Sequence, residues 1–288
     1  MDVVTRSWEA LKTQGYVVAK DFLSPEELRM FRDEYASARA TRSNNGNYNI
    51  LHTSPRMMLR LERKLRAVGD EVFASAGIET DVTTMSFYFA TERGVNFGWH
   101  QDHESFFLFQ EHYHALNFYI PLIKPDPART NLCVIPFDRL GRAAPTQSRQ
   151  FVGSGARSLN RIGQQTQVLD EEYGRDCTLP FDIEELKAVP ELEAGDLLLL
   201  RGDVIHRTQD TLTERVAVSF RRTRSRSVIS KARLLSGCSR KREMIGSNPE
   251  PYEMLLECFK EYGRNDVTIG QALAYLGRQM AKSTSPAA

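Results

Sequence analysis

The pair His100 and Asp102, with the remote His206, constrains this chain more than any other feature of its sequence. On a β-strand residues i and i+2 point to the same side, so His100 and Asp102 can reach one ion while Gln101 points away. His206 completes such a cluster only if the fold lays a second strand against the first. It follows the apolar run Leu197-Leu198-Leu199-Leu200 and the turn Arg201-Gly202-Asp203, where a further strand is expected to begin. A chain built this way needs a β core whose distant strands meet.

The hydrophobic pattern predicts that core. From Val82 to Ala90 the period is two, with Thr84, Ser86 and Tyr88 on one face and Met85, Phe87 and Phe89 on the other. The polar face is read as lining a site. Short β-rich runs at 115–122, 132–136, 196–201 and 215–220, separated by turn residues, point to an antiparallel barrel or jelly roll. Helices are expected around it. Residues 16–19 read as a short strand, after which Ser24-Pro25-Glu26-Glu27 carries a capping box that opens a helix with Leu28, Phe31 and Tyr35 on one face. Leu61, Leu65, Val68 and Val72 mark a second helix over 55–76, with a polar loop over 40–54 before it. Tyr252, Leu255, Leu256 and Phe259 form another apolar stripe, and Thr268 with Gln271 caps a last helix carrying Leu273, Leu276 and Met280. The polar stretch 139–190 reads as a long insertion, a candidate lid offering Arg149, Arg157 and Arg161 to an anionic group. The whole is expected to be one domain over 1–288: helices about 24–76, a β core about 82–222 and a C-terminal helical extension about 250–281.

Composition bounds the function. Apolar residues make up 41% of 288, enough for one large core, and the net charge of +1 gives no global attraction to polyanions. The basic runs Arg221–Arg226 and Arg240–Arg242 lack interleaved aromatics, so a solvated face is expected there and not a nucleic-acid site. Cys133, Cys177, Cys238 and Cys258 form no CxxC pair, which argues against a zinc knuckle or dithiol motif and suits a reducing compartment. With no secretory signal and no span-length apolar run, the expected location is cytoplasmic, without membrane partners.

Two imidazoles and one carboxylate leave half of a metal's sphere open, as non-haem iron(II) needs when it binds a 2-oxo acid and O2. Arg215, nine residues after His206, begins the alternating run Arg215-Val216-Ala217-Val218-Ser219-Phe220-Arg221. Its guanidinium suits the distal carboxylate of 2-oxoglutarate, with Arg221 in reserve. Thr208 is a candidate hydroxyl donor; Asn117, Tyr88 and Asn131 are candidate polar contacts to co-substrate or substrate. Trp99 and His103 flank the HxD pair as substrate candidates. Competing arrangements remain. His112 and His114, read as a polar strand entrance, would with His206 make an all-nitrogen site suited to zinc or a cupin-type metal. A zinc hydrolase built on His100, Asp102 and His206, or a cupin-like binding protein without turnover, stays open.

The segments Trp99-His100-Gln101-Asp102, Tyr119-Ile120-Pro121-Leu122, Leu132-Cys133-Val134-Ile135-Pro136 and Ala194-Gly195-Asp196, followed by His206 and Arg215, resemble the Fe(II)/2-oxoglutarate dioxygenases, in particular the phytanoyl-CoA dioxygenase-like branch, over roughly 14–222. The resemblance implies a double-stranded β-helix with flanking helices, His100, Asp102 and His206 as ligands of Fe(II), and Arg215 as the 2-oxoglutarate anchor. Relatives often carry Gly-Ser-His after the Val-Ile-Pro strand; here Phe137-Asp138-Arg139 stands there, and Arg207-Thr208-Gln209-Asp210 follows His206 where Gly-Ser is common. Asp102 stands where halogenating relatives have a small residue, which favours hydroxylation. The expected reaction hydroxylates an aliphatic carbon of a small polar metabolite, with O2 consumed and succinate and CO2 released; a fatty acyl-CoA is the second candidate substrate.

Overall fold

Local sequence starts the helices and the sheets then position the site. The computed structural model describes residues 8–40, 50–90, 97–102, 110–210, 213–247 and 249–284. A short helix α1 (Glu9–Thr13) and strand β1 (Tyr16–Ala19) precede α2 (Pro25–Ala40). The capping box that opens α2 is closed in both directions: Glu27 N donates to Ser24 Oγ (3.2 Å), and Ser24 N donates to Glu27 Oε2 (2.8 Å). Strand β2 (Ile50–His52) and helix α3 (Pro55–Ala76) follow. Ser54 caps α3 by accepting from Met57 N, and Met57, Leu61, Leu65 and Val72 bury one stripe of it. Each fully buried Leu or Val there contributes roughly 1.5–3 kcal/mol.

The core strands are β3 (Val82–Ala90), β4 (Trp99–Gln101), β5 (Leu116–Ile123) and β6 (Leu132–Val134). Helices α4 (Phe137–Ala143) and α5 (Pro145–Phe151) lead to β7 (Arg157–Ile162), β8 (Gln165–Asp170) and β9 (Cys177–Leu179). Then come β10 (Leu197–Arg201), β11 (His206–Thr208) and β12 (Val216–Thr223). The C-terminal part holds β13 (Val228–Ser230), α6 (Lys231–Leu235), α7 (Ser239–Ser247), α8 (Pro249–Tyr262), β14 (Asp266–Thr268) and α9 (Ile269–Thr284).

Among the described residues two six-stranded sheets result, ordered β1-β10-β5-β12-β3-β2 and β6-β11-β4-β7-β8-β9, with β13 and β14 as a separate pair. Every pairing among the described strands is antiparallel. The first sheet packs its outer face on α1–α3, where Leu11, Phe31, Leu61, Phe118, Val218 and Phe220 share one core. Between the sheets lie Tyr119, Val134, Leu198, Leu200 and Ala217. The far face of the second sheet buries Trp99, Ile135 and Leu159 with Leu140 of α4 and Phe151 of α5. A fourth cluster ties α8 and α9 to β13 and β14 through Ile229, Leu255, Phe259, Val267 and Ile269.

Three expectations need correction. Within the expected loop 40–54, Ile50–His52 forms β2, paired to β3; three residues are too few to show a period, and the sheet edge supplies the missing partner. The stretch 139–190 is not a lid. It holds α4, α5 and β7–β9, and β7 extends the second sheet beside β4. Its polarity misled because its inward polar side chains are paired: buried Thr166 accepts from Ile183 N, and buried Asp170 accepts from Glu172 N and Tyr173 N. The basic run 221–226 is a solvated face only at Arg226, which is exposed, whereas Arg222 is buried and Arg224 half-buried. Arg222 binds Glu62, Arg224 binds Glu79 and Glu111, and Arg226 binds Glu79.

Candidate metal centre

Register brings the distant histidine to the HxD pair. His206 of β11 sits directly opposite His100 of β4, and the two ring centroids are 4.4 Å apart. Each Nδ1 faces a backbone carbonyl two residues back, Gly98 O at 2.8 Å for His100 and Val204 O at 3.0 Å for His206. A carbonyl only accepts, so Nδ1 carries the proton and Nε2 keeps its lone pair for a metal. Asp102, one residue beyond β4, places Oδ1 at 3.5 Å from His100 Nε2 and 3.6 Å from His206 Nε2. Its other oxygen accepts from Arg221 (2.6 Å). All three ligand atoms lie within 4.8 Å of one another, and this is the only such group of His, Cys, Asp or Glu among the described residues.

The electrostatics suit a cation. Burial alone would raise the Asp102 carboxyl, but Arg221, His206 and His100 outweigh it and hold it well below the usual carboxylate range. Burial, with His100 beside it, pushes His206 down to about 4, so the imidazole is neutral near pH 7. Two imidazole nitrogens and one carboxylate oxygen in this arrangement fit iron(II).

The turn before β11 is locked. Arg201 and Asp203 form a buried ion pair (2.5 and 2.9 Å), Gly153 N donates to Asp203 (2.6 Å), and Gln101 donates to Asp203 O (2.6 Å). Gly202 lies so close to Ala115 that a Cβ would come within 2.8 Å of the Ala115 Cβ.

Arg215, just ahead of β12, is buried on the interior side, donates to Thr130 O (2.7 Å) and lies 5.5 Å from the Tyr119 ring. Asn117 shares that interior face and accepts from Ser219 Oγ (2.7 Å). Thr208 shares the His206 side of β11, and its hydroxyl accepts from Phe97 N at 3.5 Å. Sequence reasoning missed Tyr119, two residues after Asn117 and therefore on the same face. Its phenol makes no hydrogen bond among the described residues, and burial raises its pKa, so it stays a donor.

Other candidates sit elsewhere. Tyr88 faces the helix layer, packing on Phe31 and Tyr35 and donating to Glu34 (2.7 Å). The faces of β3 are thus the reverse of the expected ones, because its polar atoms find partners in α2, in Thr53 and in the backbone. The phenylalanine face turns inward. Trp99 points into the outer core of the second sheet and donates to Glu184 (2.8 Å), so it is no substrate contact. Arg221 serves Asp102 and is not a reserve anchor. Asn131 is buried and donates to Pro127 O (2.8 Å), holding the turn next to Thr130. Of the lid arginines, Arg157 donates to Gln101 (3.1 Å) and Arg161 pairs with Asp182 (3.0 Å). His112 and His114 lie on a 3₁₀ turn, not a strand, and outside the metal cluster. His103 lies outside the described residues.

A mainly β fold that gathers two histidines and one carboxylate in this way offers the donor set that non-haem iron oxygenases use. The family profile of phytanoyl-CoA dioxygenase (PhyH) matches residues 11–219, and the chain belongs to that family. It is an oxygenase that uses iron(II) as its metal and 2-oxoglutarate as co-substrate. No curated protein matches the sequence. Among solved structures, the epimerase SnoN in complex with Fe3+, alpha ketoglutarate and nogalamycin RO is similar at TM-score 0.57 and 14% identity, covering 78% of this chain and 85% of that one. EctD from S. alaskensis with 2-oxoglutarate and 5-hydroxyectoine is similar at TM-score 0.50 and 16% identity, covering 76% and 75%. A Pseudomonas putida prolyl-4-hydroxylase is similar at TM-score 0.50 and 13% identity, covering 76% and 98%. At such identities the likeness is one of fold. Among the described residues no helix is long and apolar enough to cross a membrane.

Proposed function

We propose that His100 Nε2, His206 Nε2 and Asp102 Oδ1 hold the iron, and that the enzyme hydroxylates an aliphatic carbon of a small molecule. On this reading the two sheets are the halves of a double-stranded β-helix. The observation that carries it is the placement of Asp102 Oδ1 at 3.5 and 3.6 Å from two Nε2 atoms whose rings are fixed by carbonyls. When bound, iron supplies the oxidising chemistry, spending 2-oxoglutarate and O2 to leave succinate and CO2.

The chain's own residues do the positioning. Arg215 offers paired N–H donors to the distal carboxylate, and the Tyr119 phenol lies beside it to donate a further bond. Thr208 and Asn117 lie on the same interior side. Arg221 fixes the second Asp102 oxygen so that the first faces both imidazoles. The apolar interior formed by Leu198, Leu200 and Ala217 limits water around these groups.

The test is anaerobic loading with Fe(II) and 2-oxoglutarate, followed by the weak visible charge-transfer band. Air is then admitted with a metabolite panel and succinate is measured. His100→Ala should abolish the band, while Arg215→Ala should keep it and raise the 2-oxoglutarate concentration needed by roughly 10- to 100-fold. A band that survives His100→Ala would sink the ligand assignment.

A further inference from the structure

A continuous arc of side chains leaves one proposed iron ligand and returns to another. The Phe97 ring is tilted against His100, centroids 5.8 Å apart. Phe97 meets Phe89 edge-on at 6.3 Å, and Phe89 packs on Phe87 at 5.2 Å. The Arg221 guanidinium lies over Phe87 at 6.0 Å and closes the arc on Asp102 at 2.6 Å. Phe87 and Phe89 lie on the inward face of β3, and Phe97 stands just ahead of β4, so the arc bridges the two sheets beside the metal centre.

The interior therefore has two unlike sides. Arg215, Tyr119, Asn117 and Ser219 supply polar atoms on β5 and β12. A dianionic co-substrate belongs there. Along the arc, three phenyl rings supply none, and the charge of Arg221 is directed to Asp102. A polar or charged group placed against those rings would lose its hydrogen bonds to water and gain none from the rings, and the neighbouring hydroxyls, Ser219 opposite Phe87 and Thr208 beside Phe97, are already bonded to Asn117 and to Phe97 N. Phe89 and Phe97 remain partly exposed, so their rings can still be covered.

We infer that the substrate lays a hydrocarbon portion against Phe87, Phe89 and Phe97, and that the carbon oxidised belongs to that portion. This rests on the proposed ligand set and narrows the small polar metabolite to one with an apolar part. Edge and face contacts between rings and hydrocarbon are the recognising chemistry. The three phenylalanines act as specificity-determining residues.

The experiment is calorimetric and needs no turnover. The full chain is loaded with Mn(II), and 2-oxoglutarate is titrated first. Cyclohexanecarboxamide and hexanamide are then compared with serine and glycine betaine as second ligands. The expected result is that the two hydrocarbon probes bind at least about 10-fold more tightly than the polar pair. Phe89→Ser and Phe97→Ser should erase that preference, and Phe89→Ser, whose ring packs on Phe87 and Phe97, should leave 2-oxoglutarate affinity unchanged. Phe89→Leu, which keeps an apolar side chain, should retain it and guards against a folding defect. Equal affinities, no binding by either hydrocarbon probe, or a preference untouched by both serine variants would overturn the inference. Failure of 2-oxoglutarate itself to bind the metal-loaded protein would strike the proposed ligand set instead.

Discussion

Asp102 divides its two oxygens between two tasks, and Arg221 makes the division possible. One oxygen faces both imidazoles and the other takes the guanidinium. Replacing Arg221 with Met leaves a buried carboxylate with less compensating charge and free to rotate. Metal affinity should fall roughly 10- to 100-fold, as for other partners of metal ligands. Arg221→Lys should recover part of the loss, because an ammonium restores the charge without the planar fork. Titration with Co(II), read by its visible bands, checks both; an unchanged affinity in Arg221→Met would remove Arg221 from this role. The residue was visible in the sequence only as a spare anchor, since the alternation of β12 places it inward but names no partner across the interior. Tyr88 failed for a related reason. Alternation separates two faces of a strand and says nothing about which one meets the metal, and Glu34 on α2 was a partner that no spacing rule could announce.

The turn between β10 and β11 is the element on which the third ligand depends. Asp203 is fully buried, and Arg201, lying between the rings of Tyr113 and Phe137 at 4.7 and 4.6 Å, neutralises it. Asp203→Ala leaves that guanidinium buried and uncompensated, at a cost of about 3–5 kcal/mol in stability. The double replacement Arg201→Met with Asp203→Leu should cost less than either single change, because no lone charge then remains. Denaturant unfolding of the metal-free protein measures all three, and additive losses would show that the pair is not coupled. This turn was legible from Arg-Gly-Asp after four leucines, and so were the capping boxes of α2 and α9, because their determinants are local. Strands β2 and β7–β9 were not. They are short or polar. Strands β2 and β7 take remote partners, Phe87–Phe89 and Trp99–Gln101, and β8 and β9 then extend the sheet from β7 by successive hairpins. Phe97 carried no signal in the sequence, although its ring lies on His100.

At the scale of the whole molecule, His112 sits where three parts of the chain meet. It lies on the turn leading into β5, and its ring presses on Gly155, where an added Cβ would fall 2.3 Å from the imidazole. Beside it, Arg233 of α6 donates to Gln110 O (2.6 Å) and binds Glu172 (2.7 and 2.9 Å). Burial, with Arg233 nearby, pushes His112 down to about 3. The folded protein therefore holds this imidazole neutral at a pH where the unfolded chain, near its ordinary value of about 6.5, binds a proton. The stabilisation is complete above that ordinary value and is lost as pH falls toward the folded value. The slope is about 1.4 kcal/mol per pH unit, or about 2 kcal/mol by pH 5. His206 and His114 are lowered as well and add their own uptake in the metal-free protein. His112→Gln should therefore reduce the pH slope of unfolding by one proton and leave the rest, whatever it does to absolute stability. Urea unfolding of both proteins from pH 7 to pH 5 gives the two slopes. Were they equal, the junction between the second sheet and the C-terminal helices would not be where acid first acts.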